Sequence, residues 1–226
     1  MIAFLTGPML WVSLLVFFGG LTVRAVLYVR GLSWKLDRVA YKPHMALGMR
    51  GAIHSIRCWL IPGGTYGWRQ QPFMAVGFFL FHIGAILLPL FLLAHQELIK
   101  MAFGFSLPTL PSGVADALTV LAIIGGFMLA IRRIALPEVR ILTTPYDWFI
   151  LGISVAPFVT GFIARLHLGN YDFWLTCHIL TGEAVLILAP FTKLSHIVLF
   201  FMSRGQLGMD YNIKRGGAKR ETAFPW

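Results

Sequence analysis

The sequence predicts an all-α, polytopic membrane protein with five transmembrane helices, its N-terminus outside and its C-terminus in the cytoplasm. Three observations predict it. Of 226 residues, 58% are hydrophobic and 12% charged, about half the charge of an ordinary soluble domain, and the mean hydropathy is +0.76. Apolar runs near the roughly 20 residues that cross a bilayer core recur along the chain. Lysine and arginine gather in alternate connections, as they do on the cytoplasmic side of membrane proteins.

The first predicted span, about 8–29, reads "MLWVSLLVFFGGLTVRAVLYV". It lacks a basic leader and a small-residue cleavage site, so it reads as a retained helix rather than a removed signal peptide. The second covers about 72–98, the third 113–131, the fourth 146–165 and the fifth 173–203. The fifth exceeds the bilayer requirement and is expected to tilt or protrude. Residues 30–71 form a basic cytoplasmic loop with Arg30, Lys35, Arg38, Lys42, Arg50, Arg57 and Arg69. Arg132, Arg133 and Arg140 follow the third span, and a basic tail over 204–226 carries Arg204, Lys214, Arg215, Lys219 and Arg220. Within the long loop, "MALGMRGAIHSIRCWLI" mixes apolar and basic residues like a helix lying on the membrane surface. "PGGTYG" reads as a turn into the second span. Trp11, Trp68, Trp148 and Trp174 fall near span ends, where interfacial tryptophans collect. The whole chain is one membrane domain.

These features also exclude. The net charge of +10 is accounted for by loop topology, with anionic membrane lipids or an acidic partner as secondary readings, and no nucleic acid is implied. Cys58 and Cys177 form no CxxC or CxxCH motif, so neither covalent c-type haem nor a cysteine-held iron–sulfur cluster is indicated. No Gly-rich nucleotide motif and no catalytic nucleophile stand out.

Of seven histidines, His82, His95, His178 and His196 fall within predicted spans, where ionisable side chains are costly and usually functional. His178 and His196 are eighteen residues apart, about five turns on one helix, and so share a face about 27 Å long. His82 and His95 are thirteen apart, about 220° out of phase on an ideal helix, with Pro89 between them to shift that phase. Antiparallel spans let His82 face His196 and His95 face His178. Two such pairs suit two bis-histidine b haems, because neutral imidazole ligates iron and the haem faces fit between apolar helices. Gly84 and Gly182 stand close by, where a macrocycle could approach the backbone. His44, His54 and His167 read as solvated, with His167 an alternative proton exit.

"LFHIGAILLPLFLLAHQ" together with "CHILTGEAVLILAPFTKLSHIVLF" resembles the gamma-subunit family of respiratory nitrate reductase, a membrane cytochrome b. The "PFTKLSHI" ending and the eighteen-residue histidine separation are the most specific parts. The five spans with an outer N-terminus agree over nearly the whole length. The resemblance implies an inner haem on His82 and His196 and an outer haem on His95 and His178. The family's interval between the histidines of the second span is shorter than thirteen, which leaves a one-haem protein as an alternative. Cytochrome b subunits of redox complexes in sulfate-reducing bacteria belong to the same family. The loops differ from those of nitrate reductase, which points to such subunits and to the complex built around the high-molecular-weight multihaem cytochrome c.

Among polar neighbours, Lys193 reads either as a partner of a haem propionate or as a lysine snorkelling to the interface. Glu183 reads as a proton relay or as a hydrogen-bonder to a neighbouring helix. Gln96, Glu97 and Lys100 read as outer-surface residues, and Arg24 and Arg204 as interface anchors. The function expected is an electron-transfer subunit of an oxidoreductase complex in the bacterial cytoplasmic (inner) membrane, of the kind used in anaerobic respiration. It would carry electrons between the quinone pool and partner iron–sulfur or multihaem cytochrome c subunits. The alternative is a haem-free anchor or small transporter whose histidines bond between helices or relay protons.

Overall fold

The computed structural model describes residues 1–32 and 43–214. It is 86% helical with no strand among them. Lys35, Arg38, Lys42, Arg215, Lys219 and Arg220 lie outside the described residues.

Five helices are long and apolar enough to cross a membrane. The first, α1, runs Ile2–Gly31, six residues earlier than the sequence expectation, because Pro8 is absorbed in a π-helical turn over Leu5–Met9. The surface segment is helical as expected (α2, Met45–Leu60). The "PGGTYG" turn follows, with Gly63 at φ 75°, a left-handed conformation that glycine adopts without a Cβ clash. The short α3 (Tyr66–Gln70) begins at the Thr65 cap, whose side chain accepts from the Trp68 N–H. Trp68, just before the second span, is buried at 4% exposed, with its indole N–H donating to the Trp59 carbonyl at 3.3 Å. The remaining spans are α4 (Pro72–Phe91), α6 (Ser112–Ala135), α8 (Pro145–Arg165) and the fifth over Tyr171–Phe191. The short helix α7 (Pro137–Ile141) precedes α8. A capping box between Thr144 and Asp147 starts α8, satisfying backbone donors that the first helical turn leaves open.

Two expectations about continuity are corrected. The second span does not run to Leu98: α4 stops at Phe91, Leu92 is extended, and a separate helix α5 covers Leu93–Phe103. The carbonyls exposed by this stop are met from elsewhere. The Gln96 side-chain amide donates to the Leu90 carbonyl, the Leu110 N–H to the Phe91 carbonyl at 2.9 Å, and the Gln96 side-chain oxygen accepts from the Leu107 N–H at 2.6 Å.

The fifth span does not continue as one helix to Ser203. Its α-helix, α9, covers Tyr171–Leu188. Two 3-10 turns follow, Ala189–Phe191 and Lys193–Ser195, and α10 then runs His196–Lys214, so the predicted tail is helical as far as Lys214. Pro190 lacks the N–H that an α-helix would use. Thr192 is extended, and its hydroxyl accepts from the Leu194 N–H at 3.3 Å. Arg24 donates to the Pro190 carbonyl at 2.7 Å and so closes this break.

The described chain forms two compact units, residues 1–14 with 73–187 and residues 15–72 with 188–226. In the first, α4, α6 and α8 approach through small residues. A Cβ on Gly84 would stand 2.6 Å from the Ala122 Cβ, and one on Gly126 would stand 2.6 Å from Val155. Close small-residue contacts of this kind hold helices together where lipid removes the hydrophobic drive. In the second unit α2 packs on α10, with Gly51 against the Gly208 backbone and the Asn212 amide donating to the Leu47 carbonyl at 2.5 Å.

Candidate functional site: the intramembrane histidines

The first unit brings His95 and His178 together. Their rings are parallel, 2° apart, with centres 6.1 Å from one another. Each is oriented by a backbone carbonyl through Nδ1: His95 by Leu88 at 3.2 Å and His178 by Pro157 at 2.9 Å. A carbonyl only accepts, so the proton sits on Nδ1 and the neutral ring keeps its lone pair on Nε2. Metal-ligating histidines are commonly held this way, their other ring nitrogen donating to a carbonyl or carboxylate. One ion bonded at about 2 Å to a nitrogen of each ring would set two ring centres about 6 Å apart. The observed separation and parallel planes therefore fit a metal with two axial imidazoles.

The elements explain why the rings stand there. The break at Leu92 starts a new helix three residues before His95, so the phase difference calculated for one continuous helix no longer applies. Gln96, 1% exposed, clamps that break from the next position in the chain and is a positioning residue rather than a surface group. Opposite, a Cβ on Gly161 would lie 2.7 Å from His178 Nδ1. Only glycine lets the imidazole rest on α8 and reach the Pro157 carbonyl. Neither residue stood out in the sequence. Gln96 follows a histidine in a mixed polar stretch, and Gly161 lacks any motif.

His82 belongs to the first unit and His196 to the second, and each is described within its own. His82 Nδ1 donates to the Phe78 carbonyl at 2.8 Å, and its ring stacks on Phe78 with centres 3.9 Å apart. His196, exposed, donates from Nδ1 to the Lys193 carbonyl at 2.9 Å. All four candidate ligands thus share one tautomer, set by a main-chain oxygen. The 3-10 turns between α9 and α10 remove the single helical face on which His178 and His196 were expected. Lys193 lies in the second of those turns with its side chain exposed; its backbone carbonyl orients His196.

Gly84 packs on Ala122 and is not available to a macrocycle, whereas a Cβ on Gly182 would meet nothing within 4 Å. Glu183 on α9 is 3% exposed, and neither carboxyl oxygen has a hydrogen-bond partner among the described residues. The expected bond to a neighbouring helix is therefore absent there. Both cysteines are free. The Cys58 thiol lies 3.5 Å from His54 Nε2, and burial, against the opposing pull of Arg57, pushes the thiol above its ordinary value. His167 ends α8 at φ 52° and stacks on Tyr171, ring centres 4.9 Å apart.

The fold and the apolar lengths define a helical, multi-pass membrane protein. No protein-family model matches the chain. It is 73% identical over 226 residues, the whole of both chains, to a protein of Nitratidesulfovibrio vulgaris (strain Hildenborough), and it belongs to the same family as that protein.

Proposed function

We propose that the chain is a b-type cytochrome subunit that carries electrons across a bacterial cytoplasmic membrane, between a quinone pool and partner redox subunits. The observation that carries this reading is the His95–His178 pair, parallel at 6.1 Å with both Nδ1 atoms committed to carbonyls. Bound haem supplies a one-electron couple in an apolar setting. The protein holds each imidazole in the ligating tautomer, fixes ring orientation through Leu88 and Pro157, and keeps water away by burying Gln96 beside the pair. His82 and His196 are assigned to a second haem by the sequence pairing alone. The positive-inside bias orients the N-terminus outward and α2 and α10 toward the cytoplasm. The likeness to the gamma-subunit family of nitrate reductase supports the same reading. It leads to iron–sulfur or multihaem cytochrome c partners, as in the complexes of sulfate-reducing bacteria.

The test is haem quantified as its pyridine adduct in the detergent-solubilised full chain, with His178→Ala and His196→Ala alongside. The expected outcome is about two protohaems per chain, each variant losing one. A single haem lost in His178→Ala but kept in His196→Ala would leave only the outer pair. No haem in protein made with ample haem supply would overturn the cytochrome in favour of the haem-free anchor or transporter.

A further inference from the structure

In the second unit the last turns of α1 and the body of α10 enclose an open groove of about 260 Å³, lined by Ala25, Val26, Val29, Arg30 and Met202. The four α1 positions fall at i, i+1, i+4 and i+5, one side of the helix. The lining is apolar throughout, so Arg30 contributes its aliphatic stem and carries its guanidinium beyond the groove. We propose that this groove is a binding site for an anionic phospholipid, one acyl chain lying along Val26 and Val29 and the phosphate resting on Arg30.

Position, shape and charge each support that occupant. Arg30 is one residue from the end of the 30-residue apolar helix Ile2–Gly31, the level at which headgroups meet a long basic side chain. The groove is smaller than the roughly 300–1,000 Å³ that a compact ligand requires, and it is open, which suits a linear chain. Among the described residues of this unit there are eight arginines and lysines and one acid, Asp210, which pairs with Lys214 at 3.5 Å. Arg24 is committed to the Pro190 carbonyl, and Arg204 lies 4.3 Å over the Trp59 ring. Arg30 is exposed and makes no hydrogen bond or ion pair with another described residue, so its planar donors are open to a phosphate, which they match in geometry. A neutral isoprenoid tail would suit the lining but leave the guanidinium without an anion.

Native mass spectrometry of the full chain, incubated with phosphatidylglycerol or phosphatidylcholine, tests the site. We expect phosphatidylglycerol to be retained about fivefold over phosphatidylcholine, the ratio one basic residue supplies at an anionic surface. Arg30→Gln should level the two lipids, Val26→Trp should remove both, and Arg69→Gln, exposed elsewhere in the unit, should keep the preference. Equal retention by the unaltered chain, or loss of the preference in Arg69→Gln as large as in Arg30→Gln, would overturn it. So would a lipid-free dimer that Val26→Trp dissociates, which would assign the groove to a second copy. None of these readings depends on haem.

Discussion

The helix break at Leu92 and the break at Ala189–Ser195 each precede a candidate ligand, His95 by three residues and His196 by one. They are closed by opposite means. At the first, the clamp is local and neutral: Gln96 and Leu110 meet the carbonyls of Leu90 and Phe91 from within about twenty residues of sequence. Gln96 is fully buried, and the histidine beside it faces a second, parallel imidazole. At the second, a single arginine reaches in from 166 residues away, and the histidine beyond it is exposed and oriented by a carbonyl of the preceding turn. A main-chain interruption in a membrane helix is tolerated only where its freed groups find partners. The difference shows that such partners can be supplied from the neighbouring sequence or from the far end of the chain, with unequal rigidity at the ligand.

Three substitutions sharpen that contrast, in order of expected effect. Gly161→Val places a Cβ 2.7 Å from His178 Nδ1 and should both destabilise by about 1–3 kcal/mol, as overpacking does, and remove the haem assigned to His95 and His178. Haem content and thermal unfolding read these separately. Retention of full haem would mean that His178 is not held against α8. Gln96→Leu takes the side-chain partner from the Leu90 carbonyl and the Leu107 N–H, two part-buried bonds worth about 1 kcal/mol each. We expect a lowered melting temperature in detergent, with faster amide exchange confined to α5 and the loop after it. Arg24→Leu removes one charged hydrogen bond from a half-exposed position and should cost about 1 kcal/mol, with exchange raised at Pro190–Leu194 and haem content kept. Were Arg24→Leu the more damaging of these last two, the second break would be the stiffer one.

Much of the fold was legible in the sequence because apolar length and flanking charge speak directly to a bilayer. The α6 and α8 spans and the start of α4 appear within a few residues of expectation, and α2 was read as a helix from its mixed composition. The breaks were not legible. Apolar residues resume after the polar positions in "LPLFLLAHQEL" and "LILAPFTKLSHIVLF", and Pro89 was visible as a kink. That Gln96 would turn the kink into a stop depends on Leu107 and Leu110 folding back, which no local pattern announces. The histidine pairing of His95 with His178 was expected on the premise of two long helices. Its geometry is better than that premise allowed, because the stop at Leu92 frees the ring from the phase of His82. Gly161 escaped notice for the same reason: its importance lies in what stands opposite, seventeen residues on.

The bond from Arg24 to the Pro190 carbonyl has a consequence for how the chain is made. Its donor precedes its acceptor by 166 residues, so that whole stretch must be synthesised and inserted before the two can meet. Until then the first helix carries an arginine without this acceptor, seven residues from its end. Nascent chains truncated before Pro190 should therefore hold that helix loosely. The Pro190 turn acts as the latch for the first helix.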